Sequence, residues 1–196
     1  WGTNVTTPWI TRKSAEVRVV TSVEASSSCN AELTTAIIDP KGCEVARDVV
    51  SGIINGSTMF DQSLSIPDPA LWDVENPDMY RVRSTVAANG NTDVYETRFG
   101  VRTLEFSADS GFSLNGNRRK LNGVCMHHDL GPLGTAVNRD AILRQLRSLR
   151  DMGCNAIRTS HNPPAPELLD LCDELGFLVI DEAFDEWRVA KVENGY

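Results

Sequence analysis

The sequence predicts two folds in series, an all-β sandwich over residues 1–107 and then alternating strands and helices over 108–196. Three observations predict it. Short runs that alternate apolar and polar residues, separated by turn signals, fill the first part, as antiparallel strands require. Helical stripes closed by glycine occur only in the second part. The runs between those helices are apolar without alternation, as in a parallel sheet covered on both faces.

Taken in order, Glu16–Val23 sets Val17, Val19, Thr21 and Val23 on one face. Leu33–Ile38 is a second strand, followed by Asp39-Pro40-Lys41-Gly42, where Pro presets φ and Gly frees it for a turn. Glu44–Val50, Gln62–Ile66, Met79–Val86 and Thr92–Phe106 are further strands. Several strands at this spacing within ~100 residues predict an immunoglobulin-like sandwich. Beyond Asp109, Phe112-Ser113-Leu114 and Arg119-Lys120-Leu121 form a hairpin across Asn115-Gly116, a pair suited to positive φ. Leu121–Met126 reads as a buried strand. Asn138 caps a helix striped by Ile142, Leu143, Leu146, Leu149 and Met152 and closed by Gly153. Asn155–Thr159 is the next strand. Pro164–Leu175 is a helix opened by prolines, striped by Leu168, Leu171, Cys172 and Leu175, and stopped by Gly176. Phe177–Ile180 is an apolar strand that runs into Asp181-Glu182.

A formal net charge of −8 gives no electrostatic ground for nucleic acid or an anionic membrane surface as a partner. No stretch approaches the roughly 20 apolar residues of a membrane helix. Trp1-Gly2-Thr3-Asn4-Val5 has neither an initiating Met nor a signal-peptide pattern, so the chain is expected to be internal to a longer one. Periplasm, exterior and cytoplasm all stay open, as does a homo-oligomer. The five cysteines lack C-x-x-C spacing, which argues against a zinc knuckle. Cys125, Cys154 and Cys172 sit in apolar runs and are expected as buried thiols. Cys29 and Cys43 could pair across a hairpin.

Functional groups of α/β units collect where strands reach their carboxyl ends. Three such ends carry polar residues that folding alone does not need: Met126-His127-His128-Asp129, Arg158-Thr159-Ser160-His161-Asn162, and Asp181-Glu182 with Asp185-Glu186-Trp187-Arg188. All three histidines of the chain fall there. Plainer readings stand beside these. His128 could hydrogen-bond a loop carbonyl, Arg158 could pair with Asp181 or Glu182, and Asp185-Glu186 could be a solvated turn. His127, His161 and Glu186 have metal-ligand chemistry but no helical ligand spacing. Ser160 lacks a G-x-S-x-G elbow.

Asn155-Ala-Ile-Arg158-Thr-Ser-His161-Asn-Pro-Pro, continued through Leu171-Cys-Asp-Glu-Leu-Gly-Phe-Leu-Val-Ile-Asp181-Glu182, resembles the signature region of glycoside hydrolase family 2, of the β-galactosidase type. Ile66-Pro-Asp-Pro-Ala-Leu-Trp72, Asn76-Pro-Asp-Met-Tyr80 and Phe99-Gly-Val-Arg102 resemble the end of that family's central sandwich. Phe112-Ser-Leu-Asn115-Gly116 and Asn122-Gly123-Val124 through His128 resemble the start of its catalytic TIM (β/α)₈ barrel. The resemblance implies retaining hydrolysis of a β-glycoside by two carboxylates about 5–5.5 Å apart. In the family the acid/base is the Glu of an Asn-Glu pair after the fourth barrel strand, and the nucleophile follows the seventh. This sequence has no Asn-Glu dipeptide, so both catalytic glutamates are expected beyond Tyr196 and none within the chain. By the same resemblance Arg158 would orient the nucleophile, His127 and His161 would meet sugar hydroxyls, and Asp181 and Glu182 would support them. Glu186 lines up with a Mg²⁺ ligand of some β-galactosidases, but Arg188 stands where their ligand histidine falls, which argues against the ion; no cofactor is required.

Within the family that the chain resembles, the His161 motif fits β-galactosidases and β-glucuronidases better than β-mannosidases, and the Ser160-His161-Asn162-Pro163-Pro164 wording with the run Asp181–Trp187 favours a β-galactoside. A β-glucuronidase of the same family is the nearest alternative. The second class is a non-catalytic immunoglobulin-like binding or spacer module, which residues 1–107 alone would resemble. Three barrel strands would leave an open sheet edge, and the chain by itself is expected to be inactive.

Overall fold

Alternating side chains give a strand two unlike faces, and the first unit of the chain is built from such strands. The computed structural model describes residues 2–186 and 188–193. In the first unit they form β1 (Thr3–Ile10), β2 (Ser14–Ile38), β3 (Glu44–Pro67), β4 (Tyr80–Ala88) and β5 (Asn91–Phe99), paired antiparallel. β3 runs along one edge of β2. The other edge of β2 takes β1 near its start and β4 near its end, with β5 beyond β4.

Glu16–Val23 and Leu33–Ile38, expected as separate strands, belong to one strand of 25 residues, and Glu44–Val50 and Gln62–Ile66 belong to one of 24. The polar stretch between them does not end the ladder; the register slips between Ala25 and Cys29, as at a bulge that bends a strand. Val17 and Ile37 are separated by about 65 Å of extended chain. Yet both belong to one core with Leu64, Ile66, Tyr80, Val82, Phe99 and Val101. The ribbon therefore folds over, and its two ends supply opposing layers of a sandwich. Asp39 closes the β2–β3 hairpin by accepting from the N–H of Lys41 at 2.9 Å and of Cys43 at 2.7 Å, with Gly42 at φ +87°. That ladder puts Cys29 opposite Ile54, roughly 30 Å of strand from the turn that holds Cys43. The pair suggested by the sequence does not form, and both thiols are free.

Thr92–Phe106 is not one strand. β5 stops at Phe99 and β6 (Leu104–Ser107) starts afresh; between them Gly100 passes so close to buried Trp72 that a Cβ would lie 2.8 Å from it, and the Val101 carbonyl accepts from Trp72 N–H at 2.9 Å. β6 joins β7 (Gly111–Leu114) and β8 (Asn117–Arg118) in a small sheet. Asn115 at φ +52° and Gly116 at φ +75° make the turn that Asn-Gly predicts.

The second unit takes in Asp73–Pro77, Phe106–Ser113 and the described residues from Asn117 onward. Its strands β9 (Gly123–Met126), β10 (Ala156–Thr159) and β11 (Leu178–Ile180) are parallel with β10 in the middle, and α1 (Arg139–Asp151) and α2 (Pro166–Leu175) connect them. Asn138 caps α1 by accepting from Ala141 N–H at 2.9 Å. Ile142, Leu146, Ile157, Leu168, Leu171, Cys172 and Phe177 form the core, with Leu143, Leu149, Leu175 and Cys154 partly buried against it. Met152, placed on that stripe from the sequence, is exposed because it is the C-cap residue and the helix ends before it turns inward.

The sheet is covered on one face among the described residues. Val124, Ile157 and Val179 share a level across the strands, and Ile157, Val179 and Met126 pack into the core with the helices. Cys125, Arg158 and Ile180 share the opposite face, where Cys125 and Ile180 are exposed. β9 is therefore half-buried rather than the buried strand expected, and Cys125 is no core thiol; only Cys172 is fully buried.

Gly176 ends α2 at φ +74°, and a Cβ there would lie 2.3 Å from the Val74 carbonyl oxygen. Left-handed φ and a backbone collision both oppose a side chain. Gly176→Ala should cost about 2–4 kcal/mol, read as a lowered thermal midpoint and faster hydrogen exchange along α2 and β11.

Candidate active site

The register of three parallel strands brings distant residues to one level. Cys125 on β9 and Ile180 on β11 flank Arg158 on β10, and the chain leaves all three strands just beyond. Arg158 Nε donates to Glu182 Oε1 at 2.6 Å, and its Nη2 also pairs with that oxygen. The other carboxylate oxygen, Oε2, accepts from His161 Nδ1 at 2.9 Å. One carboxylate thus ties Arg158 and His161 together. A regular strand would point residues three apart to opposite faces; β10 ends at Thr159, between them, so they converge.

Glu182 is itself held in place. Its backbone N–H donates to Thr159 Oγ1 at 3.1 Å, and that hydroxyl donates to Asp181 Oδ1 at 3.2 Å. Thr159 is buried, so both bonds are shielded from competing water. Burial pushes the Glu182 carboxyl up, but the hydrogen bonds from His161 and Arg158 and the guanidinium charge outweigh it and hold the group below its ordinary value. The carboxylate is an acceptor only, so Nδ1 carries the hydrogen of this bond. Nε2 is then an acceptor in the neutral ring and a donor only in the charged one.

His127 lies edge-on to His161, ring centroids 5.5 Å apart at 81°, and both His127 and His128 are exposed. The structure therefore gathers His127, Arg158, His161, Asp181 and Glu182, all singled out from the sequence. The ion-pair reading of Arg158 is realised with Glu182, in the same geometry that fixes its guanidinium. Glu186 Oε1 accepts from Lys191 N–H at 2.7 Å, and Asp185 pairs with the Lys191 ammonium. Asp185 and Glu186 are both half-buried. Among the described residues no three His, Cys, Asp or Glu side chains gather as a metal site. Trp187 lies outside the described residues.

Two participants were not identified from the sequence. Thr159 supports the Asp181-Glu182 corner, and Cys125 Sγ accepts from Arg158 Nη1 at 3.5 Å. The position of Thr159 between Arg158 and His161 was a usable signal. Cys125 needed the strand register.

Residues 2–102 match the model of glycosyl hydrolases family 2, and residues 107–193 match that of its TIM barrel domain. The β-galactosidase BoGH2A of Bacteroides ovatus is 47% identical over all of this chain, which corresponds to 24% of its own length. A putative β-glucuronidase of Formosa agariphila is 43% identical over 67% of the chain and 13% of its own length. The crystal structure of a family 2 member from Bacteroides cellulosilyticus superposes with a TM-score of 0.93 at 39% identity, covering all of this chain and 26% of that one. The chain thus spans about a quarter of the length of BoGH2A. Its two parts match in order the sandwich and the first β/α units of the TIM barrel, and the chain belongs to glycosyl hydrolase family 2.

Proposed function

We propose that the protein is a retaining exo-β-glycosidase that removes terminal β-galactosides, with residues 1–196 supplying one side of the active site. One carboxylate outside this chain attacks the anomeric carbon while a second protonates the departing glycosidic oxygen; water then releases the sugar. Arg158 orients the nucleophile and favours its ionised form, as a nearby guanidinium lowers a carboxylate pKa. His127 and His161 meet sugar hydroxyls, and such contacts strengthen as the oxocarbenium-like state forms. The observation that carries this reading is the shared Glu182 carboxylate, which holds Arg158 and His161 together at the carboxyl end of β10. Relatives named β-galactosidase support the sugar, and those named β-glucuronidase support the second reading, a glucuronide.

Neither catalytic glutamate is assigned within residues 1–196, and the isolated chain should not turn over an aryl β-galactoside. The test is to follow the reading frame past Tyr196 and assay the longer protein on aryl β-galactoside, β-glucuronide and β-mannoside. Cleavage of the galactoside supports the proposal, preference for the glucuronide selects the second reading, and no cleavage of any sinks both. In the active protein His161→Ala should lower kcat/KM roughly tenfold, the worth of a hydrogen bond to a charged partner.

A further inference from the structure

Pairing between β10 and β11 ends at Arg158 opposite Ile180. Two residues later the chain reaches Glu182, whose carboxylate stands between Arg158 and His161. Past the end of its strand a residue has no ladder to fix its backbone, and a glutamate adds three rotatable side-chain bonds. The Thr159 hydroxyl supplies what the ladder no longer does. Its oxygen accepts from Glu182 N–H at 3.1 Å. Its hydrogen goes to Asp181 Oδ1 at 3.2 Å, because an ionised carboxylate can only accept. The direction of both bonds is therefore set, and a lone pair of the hydroxyl is aimed at Glu182 N–H. On the other edge of β10, Ser160 N–H donates to the Met126 carbonyl at 2.9 Å, so the backbone that carries Thr159 is itself held. Thr159 is 3% exposed within this chain alone, and any further strand can only add to that burial.

We propose that Thr159 is a positioning residue: its hydroxyl fixes the backbone at Glu182 and, through that carboxylate, sets the placement of Arg158 against His161. The proposal rests on the glycosidase reading and extends it to a residue that touches no substrate. Threonine suits the position because β-branching restricts its rotamers on a strand, while the hydroxyl offers a donor and an acceptor at once. Valine keeps the branching and loses both bonds, leaving Glu182 N–H without that acceptor. Serine keeps both bonds and loses only the methyl.

Full-length protein carrying Thr159→Val, Thr159→Ala or Thr159→Ser is compared with wild type for kcat, KM and pH profile on the aryl glycoside it cleaves. Valine and alanine should lower kcat roughly tenfold, the effect of one lost hydrogen bond that leaves its donor unsatisfied, with KM changing far less. Serine should stay close to wild type. Burial raises the Glu182 carboxyl, and the bonds from His161 and Arg158 more than offset it; Cys125 lies beyond Arg158 as the next ionisable group. Once those bonds loosen, the carboxyl rises. The acid limb of kcat/KM should therefore move to higher pH with valine or alanine and stay in place with serine. Valine at the wild-type rate, serine no better than alanine, or an unmoved acid limb overturns the proposal. Should the valine variant not fold, as read by its thermal midpoint, alanine and serine share the lost methyl and the difference between them decides. If the wild-type protein cleaves no glycoside, the glycosidase reading itself fails and this proposal falls with it.

Discussion

Arg158→Ala in the full-length protein should lower kcat/KM roughly 10²–10³-fold, the range for losing one preorganised donor in a shielded site. Arg158 is held at Nε by Glu182 and touched at Nη1 by Cys125, so its guanidinium is already oriented before any substrate arrives. Alanine removes that cation and leaves Glu182 without its stronger partner. Lysine cannot reproduce a planar fork, so Arg158→Lys should recover little. If Arg158 acts on the nucleophile, the loss falls mainly on kcat, with KM shifting less. A variant whose KM rises while kcat stays at the wild-type value would assign Arg158 to substrate binding instead.

Glu182→Gln should cost roughly 10- to 100-fold, the worth of charge-assisted hydrogen bonds in a partly buried site. The amide keeps the shape of the side chain and an acceptor for His161, but the negative charge that holds Arg158 is gone. Its pH behaviour distinguishes it from a packing defect. The Glu182 carboxyl titrates below its ordinary value, because the bonds from His161 and Arg158 outweigh the effect of burial. A depressed carboxylate contributes above its unfolded pKa, and the contribution is lost as pH falls through the folded one. The wild-type protein should therefore lose activity on the acid side as Glu182 protonates, and the glutamine variant should lack that component. An unchanged acid limb in Glu182→Gln would remove Glu182 from this role.

The composition of the site was legible because each residue sits at a strand end, and strand ends show in the sequence as an apolar run giving way to polar residues. His127, Arg158, His161 and Asp181-Glu182 were all found that way. The helices were legible for a similar local reason: Asn138 at one start and Gly176 at one stop act through the backbone within a few residues. Met152 was misassigned because helical periodicity carries no mark of where the helix ends, and the C-cap residue has already left the stripe.

What depended on contacts between distant segments was not legible. β2 and β3 each read as two strands because a bulge between Ala25 and Cys29 looks, in one dimension, like a loop. β1 carries no turn former of the Asn-Gly or Pro-Gly kind to announce it; it becomes a strand by pairing with β2 across the short turn at residues 11–13. Local chemistry, namely turn formers, caps, glycine stops and polar strand ends, is written in adjacent residues and set the sandwich-then-β/α order and the membership of the site. In the parallel sheet register relates residues more than 20 positions apart, as Arg158 to Cys125 and to Ile180. Only the folded chain therefore decided that Glu182 bridges Arg158 and His161, that buried Thr159 holds the corner, and that Cys125 faces a guanidinium instead of a hydrophobic core.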